Sequence, residues 1–275
     1  MAEPGQRDQF GRVDDAPDPG VFVRFLDVAA AMDTIRVQRE RTYALLAVRA
    51  GDHLLDAGCG LGDVVRALAR LVGAGGRVVG VDTSDVMLAQ ARERSRGQDL
   101  PIEFQRADIT RLPFPDASFA GSRAERVLEH LAAPEHAVAE LARVTRPGGR
   151  VVVVSPDTGT YTMDAPGLDE RTTRAILHEH GQRQAQPWMG RRLYGLFRAA
   201  GLAEVTAEGH THPGTELARV PQIVAALRKA TERARTGGAI TEAEGAAWWQ
   251  ALEAGDRAGL WFGSTTHFVV AGTKP

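Results

Sequence analysis

The chain has 275 residues, 43% of them hydrophobic and 25% charged, with a formal net charge of −2. That length allows one large domain or a domain with a smaller cap, and the near-neutral balance gives no general attraction to nucleic acid. A single cysteine, Cys59, excludes an internal disulfide, no apolar run approaches the ~20 residues that span a bilayer, and a polar start with Asp8, Asp14, Asp15 and Asp18 is not a secretory signal, so a cytoplasmic protein is expected.

Residues 1–20 are rich in Gly, Pro and Asp and read as a flexible N-terminus. Residues 21–50 read as two helices. The first carries the apolar stripe Phe22, Phe25, Leu26 and Ala29, and the second ends at Gly51 as a C-cap. A regular alternation follows. Strands are expected at 53–56, 78–82, 102–107, 119–123 and 151–154, and helices at 64–72, 84–96 and 134–144. Thr83 or Ser84 caps the second of these helices, and Pro147-Gly148-Gly149 makes a turn before the last strand. All-apolar strands alternating with helices mean a parallel sheet covered on both faces.

After Asp157 the pattern changes. Residues 158–186 are polar and read as loop with a helix at 168–180. A helix at 187–200 and a strand at 203–208 follow. Two helices fill 213–257, the second opened by the capping box Thr241/Glu244, and a last strand spans 264–272. The expected fold is an α/β, Rossmann-like, doubly wound and mostly parallel seven-stranded sheet with a helical cap. Residues 21–50, 158–201 and 213–257 build the cap, residues 51–157 form the binding core, and residues 158–275 also hold the last two strands.

The chemistry concentrates at Asp56-Ala57-Gly58-Cys59-Gly60-Leu61-Gly62-Asp63. A strand, a glycine turn and a helix in that order make a ligand-binding corner in a parallel sheet. A dinucleotide fingerprint G-x-G-x-x-G starting at Gly58 would need glycine where Asp63 stands. The acid Asp56 heads the turn, which disfavours a pyrophosphate and favours a ligand carrying ammonium and sulfonium charges. Three more features sit at following strand ends: Asp82, Ala107-Asp108-Ile109, and Arg123 through Leu131 with Arg146-Pro147-Gly148-Gly149 beyond.

Residues 34–157 resemble the methyltransferase domain of the class I S-adenosylmethionine-dependent methyltransferases, in particular the ubiquinone/menaquinone-biosynthesis type and bacterial small-molecule enzymes. Leu112-Pro113-Phe114-Pro115-Asp116 and Arg126-Val127-Leu128-Glu129-His130-Leu131 carry the likeness most closely. The resemblance implies S-adenosyl-L-methionine as cofactor. By it, Asp56, Gly58 and Gly60 hold the methionine part, Asp82 takes the ribose hydroxyls, Thr83 and Met87 border the adenosine, and Ala107, Asp108 and Ile109 lie at the adenine. Arg123 falls where the family lines the methionine end, and Arg41 is a candidate for the same role. One departure stands out: Phe119 is followed by Ala120 where the family has Asp, which blurs the start of the fourth strand.

Methyl transfer needs alignment and exclusion of water, and a hydroxyl or amine acceptor also needs a base. His130 and Asp157 are the candidate bases. The pairs His178/His180 and His210/His212 have metal-ligand types, but no metal is expected. Trp188, Trp248, Trp249, Trp261 and Tyr194 either line an acceptor pocket or form the core of the cap. The expected partner is a small organic acceptor, with no nucleic acid and no membrane, and a homodimer is compatible with the sequence. Three competing readings are macromolecule methylation, cofactor binding without methyl transfer, and a nucleotide-dependent oxidoreductase. The absence of a basic stripe and of an Asn-Pro-Pro-aromatic stretch counts against the first, and the glycine spacing against the last.

Overall fold

The computed structural model describes residues 10–275, apart from the side chains of Arg219 and Gln222. Seven strands form one sheet among these residues: β1 (His53–Ala57), β2 (Arg77–Asp82), β3 (Ile102–Arg106), β4 (Phe119–Glu125), β5 (Thr145–Asp164), β6 (Ala203–Gly214) and β7 (Phe262–Thr273). Their order is β3-β2-β1-β4-β5-β7-β6, and only β7 runs against its neighbours. The order reverses at β1, with β2 on one side and β4 on the other, which opens a crevice at the carboxyl ends of these strands.

Alternate residues of each strand face opposite sides. Leu55, Val79 and Val153 pack against α5 (Pro134–Val144) and α7 (Met189–Ala199). Leu54, Val78 and Val152 pack on the other face with α2 (Asp33–Leu46), α3 (Asp63–Val72) and α4 (Asp85–Ser95). A third core joins α6 (Glu170–Gly181), α8 (Pro221–Thr236) and α9 (Glu242–Arg257) around Ile176, Leu227, Trp248 and Leu252. The Thr241/Glu244 capping box opens α9.

Several boundaries differ from the sequence reading. Strand β5 runs on to Asp164 where a loop is expected, because the β-branched Thr158, Thr160 and Thr162 continue the alternation and β7 pairs with Thr162–Asp164. Strand β6 likewise extends to Gly214. Together these extensions stand above the sheet edge as a wall. Pro147-Gly148-Gly149 lies within β5 as an irregularity: the β4–β5 register shifts between Phe119 and Gly121, at the site of the Ala120 departure. Helix α2 stops at Leu46 on a left-handed Ala47, before Gly51.

Of the expected flexible N-terminus, residues 1–9 lie outside the described residues. From Phe10 the chain makes specific contacts. Phe10–Asp15 forms a short helical turn, and α1 (Gly20–Ala30) follows. The Asp14 carboxylate accepts from the Asp85 amide at 2.7 Å and from the Ser84 hydroxyl, docking the segment onto the start of α4. Val13 and Phe22 then pack on Leu61 of the glycine turn and Met87 of α4. Among the described residues no helix is long and apolar enough to cross a membrane.

Trp248 is 2% exposed and donates its indole N–H to Thr173 Oγ1 at 2.9 Å, at the centre of the third core. Trp248→Ala is expected to cost about 3–5 kcal/mol in a denaturant titration, whereas Leu260→Ser at an exposed site should stay within about 0.5 kcal/mol.

Candidate functional site

A cavity of about 640 Å³ opens over the carboxyl ends of β1, β2 and β4 and reaches the third core. That volume suits a small-molecule ligand of the size of a nucleoside derivative plus a partner. Its floor is the glycine turn. The Gly58 and Cys59 amides both donate to Val81 O, at 2.7 and 2.9 Å, which folds the turn over β2. Gly58 has φ +74°, and a Cβ there would meet Val127 Cγ2 at 2.2 Å. Only glycine fits such a place. At Gly60, φ is +50° and the nearest atom to an added Cβ is Leu26 Cδ1 at 3.4 Å, so a side chain would project toward the ligand space.

Asp82 ends β2 beside this turn. Its carboxylate accepts from the Gly60 amide at 2.9 Å and the Ser84 amide at 3.0 Å. Burial raises its pKa against those hydrogen bonds. Thr83, Met87, Ala107, Asp108 and Ile109 continue the same wall. Cys59 is buried, and desolvation with the nearby Asp82 and Asp56 carboxylates pushes its thiol up, so it remains a protonated filler.

Under the turn lies a charge network that the sequence reading grasped only in part. Asp56 and Arg123 are direct cross-strand partners of β1 and β4. The Arg123 guanidinium, fully buried, donates to Asp56 Oδ1 at 3.2 Å and to Glu125 Oε2 at 2.7 Å. Arg39 of α2 donates to Glu125 Oε1 at 3.0 Å. Burial opposes ionisation of Glu125, but Arg39, Arg123 and Arg126 hold its carboxyl well below the usual range. Asp56 receives a single, longer hydrogen bond, and desolvation wins: its pKa is pushed up to about 6. Asp56 is therefore an internally partnered acid, and the carboxylate that faces the cavity with only backbone partners is Asp82.

Two expected site residues lie elsewhere. Arg41 does not line the cavity: it pairs with Glu208 on the surface, its Nε donating at 2.8 Å. The helical phase puts Arg39 on the cavity face of α2. Asp157 is likewise off the cavity, clamped by Arg191 Nη2 at 2.7 Å and by the Arg191 and Gly159 amides. A carboxylate so engaged has no proton-transfer route to a ligand. His130 does line the cavity, stacked on Phe10 at 5.3 Å between ring centroids, with Nε2 3.8 Å from Glu129 Oε1.

The histidine pairs separate. His210 approaches Glu208 at 3.6 Å, while His212 turns to α2. Gln38 Oε1 accepts from His212 Nε2 at 2.9 Å and from His267 Nδ1 at 3.1 Å, and Thr34 Oγ1 donates to His212 Nδ1 at 2.9 Å. Burial keeps both rings neutral, with His212 pushed down to about 4. This network, contributed by α2, β6 and β7, joins residues more than 150 positions apart and left only the His210/His212 spacing as a trace in the sequence. Among the described residues no group of three or more potential ligands could hold a metal. The aromatic residues also divide: Trp261 lines the cavity, Trp248 and Trp249 belong to the third core, and Trp188 and Tyr194 are exposed.

A folded-state pKa of about 6 for Asp56 lies above the ~3.9 of an unfolded Asp. Its protonated form stabilises the fold below about pH 4, and that contribution is lost as pH rises through 6. Asp56→Asn should therefore gain stability relative to the parent between about pH 4 and 7, by up to ~2–3 kcal/mol, in paired denaturation curves. Arg123→Met, which strands Asp56 without a cation, should cost about 3–5 kcal/mol.

Comparison with known proteins identifies the family. A model of the methyltransferase domain family matches residues 55–153. An uncharacterised 37.1 kDa protein of transposon TN4556 from Streptomyces fradiae is 36% identical over 262 residues, covering 94% of this chain and 73% of that protein. The demethylmenaquinone methyltransferase of Clavibacter sepedonicus is 31% identical over 217 residues, covering 70% of this chain and 87% of the relative. The ubiquinone/menaquinone biosynthesis C-methyltransferase UbiE of Pseudomonas putida is 38% identical over 136 residues, which is 49% of this chain and about half, 53%, of that enzyme. The YcgJ protein of Bacillus subtilis shares the fold with a TM-score of 0.63 at 17% identity, over 87% of this chain and 98% of that one. With a methyltransferase relative aligned over most of both lengths, the chain belongs to the class I S-adenosylmethionine-dependent methyltransferases, of the small-molecule type.

Proposed function

We propose that this enzyme methylates a small organic acceptor held between the glycine corner and a helical cap built from residues 21–50, 158–201 and 213–257. The observation that carries the reading is the continuity of one cavity from Asp82 and Gly60 to Trp261 and α8. A ligand at the corner and a second ligand under the cap would share that space.

The residues present fit S-adenosylmethionine. Asp82 sits at the strand tip with both oxygens already oriented by backbone amides, suited to receive two ribose hydroxyls. Asp108 and Ile109 border the position for adenine, and the bare backbone of Gly58 and Gly60 admits the methionine part. Asp56 serves that end through its pairing with Arg123, which fixes the turn it heads. When bound, the cofactor supplies a methyl group activated by a sulfonium. The protein's part is to orient the acceptor, exclude water with the cap and, for a hydroxyl or amine, remove a proton. His130 is the base in this reading, placed on the cavity wall beside the buried Glu129. Burial raises Glu129, with His130 opposing, and Glu129 accepts from Ser155 Oγ at 3.0 Å.

Asp82→Ala should weaken adenosylhomocysteine binding by roughly 10- to 100-fold in calorimetry, the loss of hydrogen bonds to a charged group. Labelled cofactor incubated with a metabolite extract should pass its methyl label to a small organic product, and His130→Ala should slow that transfer by about 100-fold with little change in cofactor affinity. Label that stays on the cofactor would favour a binding role without transfer.

A further inference from the structure

The cavity continues past Tyr161 into the cap, and its walls divide by charge. Every acid on the wall, Asp56, Asp63, Asp82, Asp108, Glu125 and Glu129, belongs to the core. From Pro156 onward the described wall residues include no acid but three cations, Arg183, Lys229 and Arg233. At the core end Arg39 and Arg123 bind Glu125 and Arg126 lies 3.9 Å from it, so each has an acid nearby, although Arg123 Nε and Arg126 Nε are also buried without a hydrogen-bond partner among the described residues. At the cap end, Arg233 has Glu179 at 3.5 Å, whereas Arg183 Nε is buried and without a hydrogen-bond partner among the described residues.

Arg183 is one of several such groups on the same wall. His180 is 1% exposed with Nδ1 unpartnered, and Gln184 Oε1, Trp261 Nε1 and Thr265 Oγ1 are also buried and unpaired. Folded proteins leave few buried polar atoms unmatched, and these five belong to side chains that line one cavity, so the polar demand of this wall is not met within the described residues. The potential here is positive. Burial, then Arg183 and Arg233, push His180 down to about 3, so its ring stays neutral between two guanidinium groups. Leu177, Ile223 and Leu227 supply apolar surface to the same wall.

We propose that the acceptor is an amphipathic anion: an apolar body lying against Leu177 and Ile223, with a carboxylate or phosphate group received by Arg183 and His180. This inference rests on the methyltransferase reading above and narrows its acceptor class. A cavity whose acids all lie on the core wall and whose cap wall carries cations without acids sorts two ligands of opposite local charge.

The test is calorimetry on the full chain saturated with adenosylhomocysteine, titrated with decanoate, decyl phosphate, decanol and decyltrimethylammonium. At least one anion should bind about tenfold or more tighter than decanol, and whichever anion leads identifies carboxylate or phosphate. Arg183→Met should erase that preference and leave adenosylhomocysteine affinity unchanged, which also reports an intact fold, and Arg183→Lys should keep part of it. The inference is overturned if decanol or the cation binds as tightly as both anions, if no probe binds, or if the preference survives in Arg183→Met. A loss of adenosylhomocysteine binding in Arg183→Met would also overturn it, by assigning that side chain to the cofactor. A parent protein that does not bind adenosylhomocysteine at all defeats the methyltransferase reading itself, a separate result from the loss of anion preference.

Discussion

The geometry of the site depends on one buried guanidinium. Arg123 lies level with Asp56 across β1 and β4 and is shared between Asp56 and Glu125. A charge that deep is tolerated only when partners satisfy it, so the two strand ends are held in one register and at one height. Asp56 leads directly into the glycine turn, so the turn inherits that position. Through Glu125 the same network reaches Arg39 and ties α2 to the sheet edge. Arg123 and Glu125 each hold partners from more than one segment, which makes the arrangement stiff where a ligand must be aligned.

Desolvation and pairing compete throughout this region, with different winners. Glu125, surrounded by three cations, ionises readily despite complete burial. Asp56, with a half-share of one arginine, does not. His212 and His267 have only uncharged hydrogen-bond partners and stay neutral. The number of opposite charges within reach, not burial alone, decides each outcome.

Much of this was legible in the sequence. Helix α5 falls on residues 134–144 as expected, because Pro134 starts it and the apolar spacing defines one face. The strand-end acids and the glycine turn could be read because each sits at a fixed offset from an apolar run. Polar strands could not: Thr158–Thr162 carries no hydrophobic signal, since its neighbours are supplied by β7, over a hundred residues away. Arg41 and Arg39 differ by two residues on a helix, a rotation of about 200° that composition does not reveal. Asp157 was misplaced for a similar reason, since its partner Arg191 comes from α7. The histidine–glutamine network shows the same limit, because it depends on tertiary contact between three distant segments.

Strands β6 and β7 are adjacent and antiparallel, and they would need only a tight hairpin to connect them. Instead, α8 and α9 emerge between Gly214 and Phe262, at the open end of the ladder. Lengthening a connection whose ends are already fixed costs little chain entropy. Exposed residues of this excursion can thus be added or exchanged without unzipping a strand, whereas Trp248 and Leu252 tie it to the third core. Such an arrangement lets chain length vary at this one point while the paired ladder beneath it stays closed.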